Sequence, residues 1–279
     1  MRTVFYRRKI LSALLKSFGG DCKKAQFTNL MFLFCQYKKE NYYDFFPAPE
    51  GCYSNILIQD KNVMTSGKIL KDSENFILNK KNAQYAKDLK KADEEYMERF
   101  MNEFKNLSET QITKLIKNKF PHYFLKPQKK STKKILYTLG YEGISIDAYI
   151  DKLITNNIAL VIDVRNNPLS MKYGFSKNQM KNYLTGAGIS YIHIPELGIE
   201  KNIRKDFDSE KNYEELFDYF YKKILPNRKE YLERVIDLLD EYKSAALTCY
   251  EADYKHCHRY KVTAKMEKMP EFKAVVKHI

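Results

Sequence analysis

The chain has 279 residues, of which 44% are hydrophobic, enough apolar material for real cores and too much for wholesale disorder. It carries 49 Lys+Arg against 35 Asp+Glu, a net charge of +14. No apolar run approaches the ~20 residues of a membrane helix, Met1-Arg2-Thr3 opens no secretory signal, and five cysteines without framework spacing point to a reducing cytoplasm. The charge is asymmetric. Residues 1–134 hold 27 basic and 14 acidic side chains (+13), and residues 135–279 hold 22 and 21 (+1). Such a split predicts a polyanion partner for the front half, unless the lysines only solvate its surface.

In chain order, Arg7 to Ser17 places Ile10, Leu11, Leu14 and Leu15 at helical spacing, and Gly19-Gly20 ends that helix. Asp21 is expected to cap a second helix to about Tyr37, with Phe27, Leu30, Met31 and Phe34 on its apolar face. Asp44 to Leu57, punctuated by Pro47, Pro49 and Gly51, predicts extended structure and turns. Lys81 to Lys105 and Ser108 to Lys119 read as charged helices, the second capped by Ser108. Lys126-Pro127-Gln128-Lys129-Lys130-Ser131-Thr132-Lys133-Lys134 reads as an exposed linker. The expected domains are therefore 1–125 and 135–279, joined by 126–134.

Two helices followed by a short extended element give the order of a winged helix. Residues 24–33, 43–47 and 51–54 resemble the small winged-helix-like domains of prokaryotic antitoxin and defence proteins, over about residues 5–80. Such a module would turn Arg7, Arg8, Lys9, Lys23 and Lys24 toward nucleic-acid phosphates. Winged helices also serve as protein-docking modules.

Beyond the linker, strands and helices alternate. Strands are expected at Ile135–Leu139, Ala159–Val164, Ser190–Ile194 and Ala245–Thr248. Helices are expected at Ser145–Thr155, Ser176–Leu184, Tyr213–Leu225, Lys229–Tyr242 and from about His256. Short apolar strands between helices imply an α/β domain with a parallel sheet covered on both faces. Ligands of such sheets bind beyond the carboxyl ends of the strands. There the chain delivers Gly140, Tyr141 and Glu142, then Asp163 and Arg165, then Glu196, and finally Cys249, Glu251, Cys257, His258 and Arg259.

Thr138-Leu139-Gly140-Tyr141, Asp163-Val164-Arg165 with Pro168 and Ser170, residues 188–198, and Leu247-Thr248-Cys249-Tyr250-Glu251 with Cys257-His258-Arg259 resemble, in order and spacing, the family called "domain of unknown function 488". The resemblance spans about residues 135–270. It implies a flavodoxin-like α/β domain with its site at these strand ends, and it leaves the reaction open.

The residues suggest their own chemistry. Asp253 is expected to cap the last helix, placing Cys257, His258 and Arg259 at an anion-attracting N-terminus. Arg165 and Arg259 would hold phosphate, unless Arg259 pairs with Asp163 or Glu251 structurally. Asp163 and Glu251 would orient or activate a hydroxyl or water, and His258 suits general acid–base work. Cys249 is a candidate nucleophile, or else an inert buried thiol. A phosphatase loop needs arginine six positions after its cysteine, where this chain has Lys255. No metal site and no cofactor is expected, because His256, Cys257 and His258 are consecutive and no second Cys-x-x-Cys pair exists. The leading expectation is a nucleic-acid-associated protein binding or processing a phosphate-bearing ligand, in the setting of DNA repair or phage defence. If it is an enzyme, it is a hydrolase or transferase. The alternatives are a non-enzymatic, antitoxin-like interaction module and a thiol-dependent transferase or phosphatase.

Overall fold

The computed structural model describes residues 5–49, 51–79, 89–124, 133–206 and 213–279. The chain divides into two compact units, Met1–Lys126 and Pro127–Ile279. Most of the lysine-rich stretch 126–134, up to residue 132, lies outside the described residues, as do positions 81–88 of the expected third helix. No described helix is long and apolar enough to cross a membrane.

The first unit is mainly helical. Helix α1 (Tyr6–Ser17) buries Ile10, Leu11, Leu14 and Leu15 and ends at Gly19 and Gly20, both at positive φ. Asp21 does not cap the next helix. Asp21–Cys22 is a short strand, β1, antiparallel to β4 (Phe76–Ile77), and Lys23 is the N-cap of α2 (Lys24–Lys38). A strand pairing some 55 positions away outweighs the local capping signal.

Every residue of α2 from Phe27 to Cys35 is buried, far more than one amphipathic face. The aromatic residues make this possible: Phe32 meets Phe45, Phe120 and Tyr123 edge-on, and Phe34 meets Phe100. Each fully buried Phe contributes roughly 2–3 kcal/mol of transfer free energy. The expected turn region forms the hairpin β2 (Phe46–Ala48) and β3 (Gly51–Tyr53), but it runs straight into helix α3 (Asn55–Ser66), capped by the Ser54 hydroxyl. The hairpin strands are three residues each, and α2 is buried from Phe27 to Cys35 rather than presented. Helices α4 (Lys91–Phe104) and α5 (Glu109–Lys119) complete the unit, α5 with a Ser108–Gln111 capping box.

The second unit is the expected α/β layout. In chain order it holds β5 (Ile135–Gly140), α6 (Ile146–Thr155), β6 (Leu160–Asp163), α7 (Lys177–Gly186), β7 (Ser190–His193), α8 (Lys201–Asp206) and α9 (Tyr213–Tyr219). A π turn and a 3-10 turn over 220–228 lead into α10 (Lys229–Tyr242), then β8 (Ser244–Cys249), α11 (His258–Met266) and β9 (Val275–His278). All five strands are parallel, in the order β7-β6-β8-β5-β9. Counting strands within this unit, that is 3-2-4-1-5, where flavodoxin itself has 2-1-3-4-5. The edge strand β9 is absent from the sequence reading because it is short and half-exposed, with Lys277 breaking its apolar pattern.

Strand β8 lies at the centre with all six residues buried. Its register aligns Cys249 with Gly140 of β5 and Thr248 with Asp163 of β6. The three strand ends therefore open at one place, and the site grows from there.

Candidate active site at the strand ends

Two polar clusters occupy that edge. The first is built on Asp163, the fully buried last residue of β6. Its carboxylate accepts Arg165 Nε at 2.8 Å and Nη2 at 2.5 Å, the Arg165 backbone N–H at 3.1 Å, and the Tyr191 hydroxyl at 2.7 Å. Arg165 Nη1 donates to the Tyr141 hydroxyl and the Phe175 carbonyl, at 2.7 and 2.8 Å. Tyr141 stacks on Phe175 with ring centroids 4.2 Å apart. The guanidinium therefore spends its nitrogens on the protein, as buried charges do. His193, register partner of Asp163, adds a bond sequence reading missed, with Nε2 donating to the Arg165 carbonyl at 2.8 Å.

The second cluster gathers Cys249, Glu251, Cys257 and His258. Both thiols reach the same oxygen, Glu251 Oε2, each at 3.0 Å. The His258 Nδ1 lies 3.6 Å from the Cys249 sulfur and 3.9 Å from the Cys257 sulfur. Its Nε2 is 3.1 Å from the Val164 carbonyl, which can only accept, so Nε2 carries a proton and Nδ1 faces the sulfurs. Cys249, Cys257 and His258 are buried, and Glu251 is half-buried.

Neighbouring groups tune one another here. Burial, then the Cys249 thiol, pushes Cys257 well above the ordinary thiol range. Burial would also raise Glu251, but hydrogen bonds from Cys257 and Cys249 outweigh it and hold the carboxyl below its usual value. For His258 burial opposes the charged form, and the partial charges of Cys257 and Glu251 win, raising it. A low-dielectric interior makes such couplings strong.

Local structure explains the convergence. Asp253 does not cap the last helix. Its carboxylate accepts the Lys255 N–H at 2.9 Å and caps a 3-10 turn, Tyr254–His256. Cys257 is then extended, with φ −140° and ψ 141°, and is the N-cap of α11. That single extended residue lets Cys257 and His258 both face the end of β8, while His256 stays exposed against Asp253. Arg259, 1% exposed, donates to the carbonyls of Glu251 and Ala252 at 2.6 and 3.0 Å and holds the loop shut. Gly140 lets that loop pass, since a Cβ there would lie 1.7 Å from the Glu251 carbonyl oxygen. Glu142 accepts the Ala252 N–H at 3.0 Å.

Glu196 belongs to a different neighbourhood. It sits in a 3-10 turn whose carbonyl Arg228 binds. In the first unit, Arg7 and Arg8 both grip the buried Asp60, at 2.6 and 2.7 Å. Lys23 lies 3.7 Å from Glu109, the Lys24 ammonium sits 5.6 Å from the Tyr53 ring centroid, and Lys9 is half-buried on α1.

Fold and clusters together define a class: a parallel α/β domain with a buried thiol–carboxylate–imidazole centre at the carboxyl ends of its strands. Residues 145–266 match the model of the family described as "Domain of unknown function DUF488". The match takes in β6, β7, β8 and α11, and with them both clusters apart from Tyr141. No curated protein and no solved structure matches the chain.

Proposed function

We propose that this protein acts on a phosphate-bearing ligand, a nucleotide or nucleic acid, at the carboxyl edge of its parallel sheet, and that its basic first unit draws in the polyanion. The observation that carries this reading is the gathering of Cys249, Glu251, Cys257 and His258 at the end of β8, where open parallel sheets bind their ligands. In this reading Arg165 and Arg259 are positioning residues. Asp163 occupies the first and the Glu251–Ala252 loop the second, so phosphate attraction falls to the lysines. If chemistry follows binding, it is hydrolysis or group transfer.

The test is fluorescence anisotropy of the full-length protein with single- and double-stranded oligonucleotides at low salt. Binding that weakens steeply with added salt supports the reading, and no binding overturns it. A second reading, a non-enzymatic interaction module, draws on the near-complete burial of Cys249, Cys257 and His258. It predicts unchanged biological activity in folded Cys249→Ala and His258→Ala variants.

A further inference from the structure

The geometry points to a transition-metal site, of the kind that holds Zn²⁺, formed by Cys249 Sγ, Cys257 Sγ, His258 Nδ1 and a carboxylate oxygen of Glu251. These four atoms all lie within 4.8 Å of one another. A tetrahedral zinc with Zn–S of about 2.3 Å and Zn–N or Zn–O of about 2.0–2.2 Å has ligand–ligand edges of about 3.3–3.8 Å. The four edges measured here run 3.0, 3.0, 3.6 and 3.9 Å, so ordinary side-chain adjustment closes the difference.

The donor types suit the ion. Two thiolates and an imidazole select zinc-class metals over magnesium or calcium, which want oxygen alone. The outer contacts are those a metal site needs. The His258 Nε2–H bond to the Val164 carbonyl orients the ring and leaves Nδ1 as the donor. Two thiolates, a carboxylate and a divalent ion leave one net negative charge, and the buried guanidinium of Arg259 lies beside it on the Glu251 and Ala252 carbonyls. Three consecutive ligands could not converge, but here only Cys257 and His258 are adjacent, one extended and one helical, and Glu251 supplies the fourth position in place of His256.

Glu251 is the least buried of the four. Catalytic zinc sites keep three protein ligands and one exchangeable position, and Cys249, Cys257 and His258 form such a trio with Glu251 at the exchangeable place. This inference deepens the sheet-edge reading above and rests on it for the site's purpose, but its test involves no nucleic acid or nucleotide.

Full-length protein grown with supplemented zinc, then gel-filtered, is assayed by plasma mass spectrometry. Chelator-treated protein is titrated with Co²⁺ alone. The expected result is one zinc per chain and, at one equivalent of Co²⁺, the charge-transfer bands of thiolate ligation. Cys249→Ser and Cys257→Ser each weaken binding by at least about tenfold, and Cys22→Ala in the first unit leaves stoichiometry unchanged. Folded wild-type protein that retains no zinc and shows no thiolate–cobalt band overturns the site, whatever the variants do. So does zinc that stays stoichiometric in the Cys249→Ser/Cys257→Ser double variant. Zinc at full stoichiometry without oligonucleotide binding would instead overturn the nucleic-acid reading and leave the metal standing.

Discussion

His258 donates its Nε2–H to the carbonyl of Val164, 94 positions earlier and 3.1 Å away. This bond ties the start of α11 to the chain leaving β6. It also decides which ring nitrogen faces the two thiols, so it joins folding to site chemistry. His258→Ala would leave a buried carbonyl without its donor and a cavity beside Phe220, whose ring meets the imidazole edge-on. The expected loss is about 3 kcal/mol, read by urea unfolding. An unchanged midpoint would show that the bond contributes little.

Gly140 is expected to be irreplaceable. Its missing Cβ makes room for the Glu251 carbonyl, a backbone atom that cannot swing aside. Gly140→Ala should cost more than about 2 kcal/mol and displace Glu251 from the thiols. Gly186→Ala, where a Cβ meets nothing within 4 Å, should be neutral or slightly stabilising. Paired thermal melts compare the two.

Asp163→Asn strips the buried Arg165 of its counter-charge and should destabilise the second unit by about 3–5 kcal/mol. Arg165→Lys should remain well short of the natural protein, since an ammonium cannot reproduce the fork that reaches Asp163, Tyr141 and Phe175 together. Denaturant titration of both variants checks this, and a fully stable Arg165→Lys protein would contradict it.

All five cysteines are buried. Burial pushes the Cys22 thiol up to about 11 and Cys35 up to about 12. Native protein at neutral pH should therefore resist iodoacetamide, with alkylation appearing only on unfolding, as followed by mass spectrometry. Rapid native alkylation of Cys249 would revive the thiol-nucleophile reading.

If the first unit draws in nucleic acid, Lys23 and Lys24 are its testable contacts, because Arg7 and Arg8 are drawn onto Asp60. The Lys23→Ala/Lys24→Ala double variant should lower the slope of log affinity against log salt by about 2. An unchanged slope would place the contacts elsewhere.

Much of the second unit was legible in the residues. The run of apolar positions in β6 and β8 and the polar residue ending each strand are local signals, and a parallel sheet follows from them. The same residues carry separate expectations in the sequence: Cys249 as nucleophile, Glu251 and His258 for acid–base work, and Cys257 as part of an anion-attracting helix start. What hid their union was one backbone conformation. A helix begun at His256 would spread Cys257 and His258 around its axis, and only the extended Cys257 turns both toward β8.

Other features escape a local reading. The stretch from Asp44 to Leu57, expected as extended structure and turns, overlaps α3 only at residues 55–57, and Asp21 looks like a cap because its strand partner is distant. Arg165 reads as a phosphate ligand although its counter-ion Asp163 stands two positions away, and Arg259 reads as a phosphate ligand or a structural partner of Asp163 or Glu251. The groups that complete their engagement, Tyr141 and Phe175 for one and the Glu251–Ala252 carbonyls for the other, are reached through the fold. By itself the sequence determined the alternation of elements, the placing of charge and the identity of the strand-end residues, since periodicity and composition are properties of neighbours along the chain. Only the tertiary structure decided the strand order, which charges are spent internally and which four donors share one point. Those depend on groups far apart in sequence competing for the same buried space, where an unpaired charge is too costly to leave.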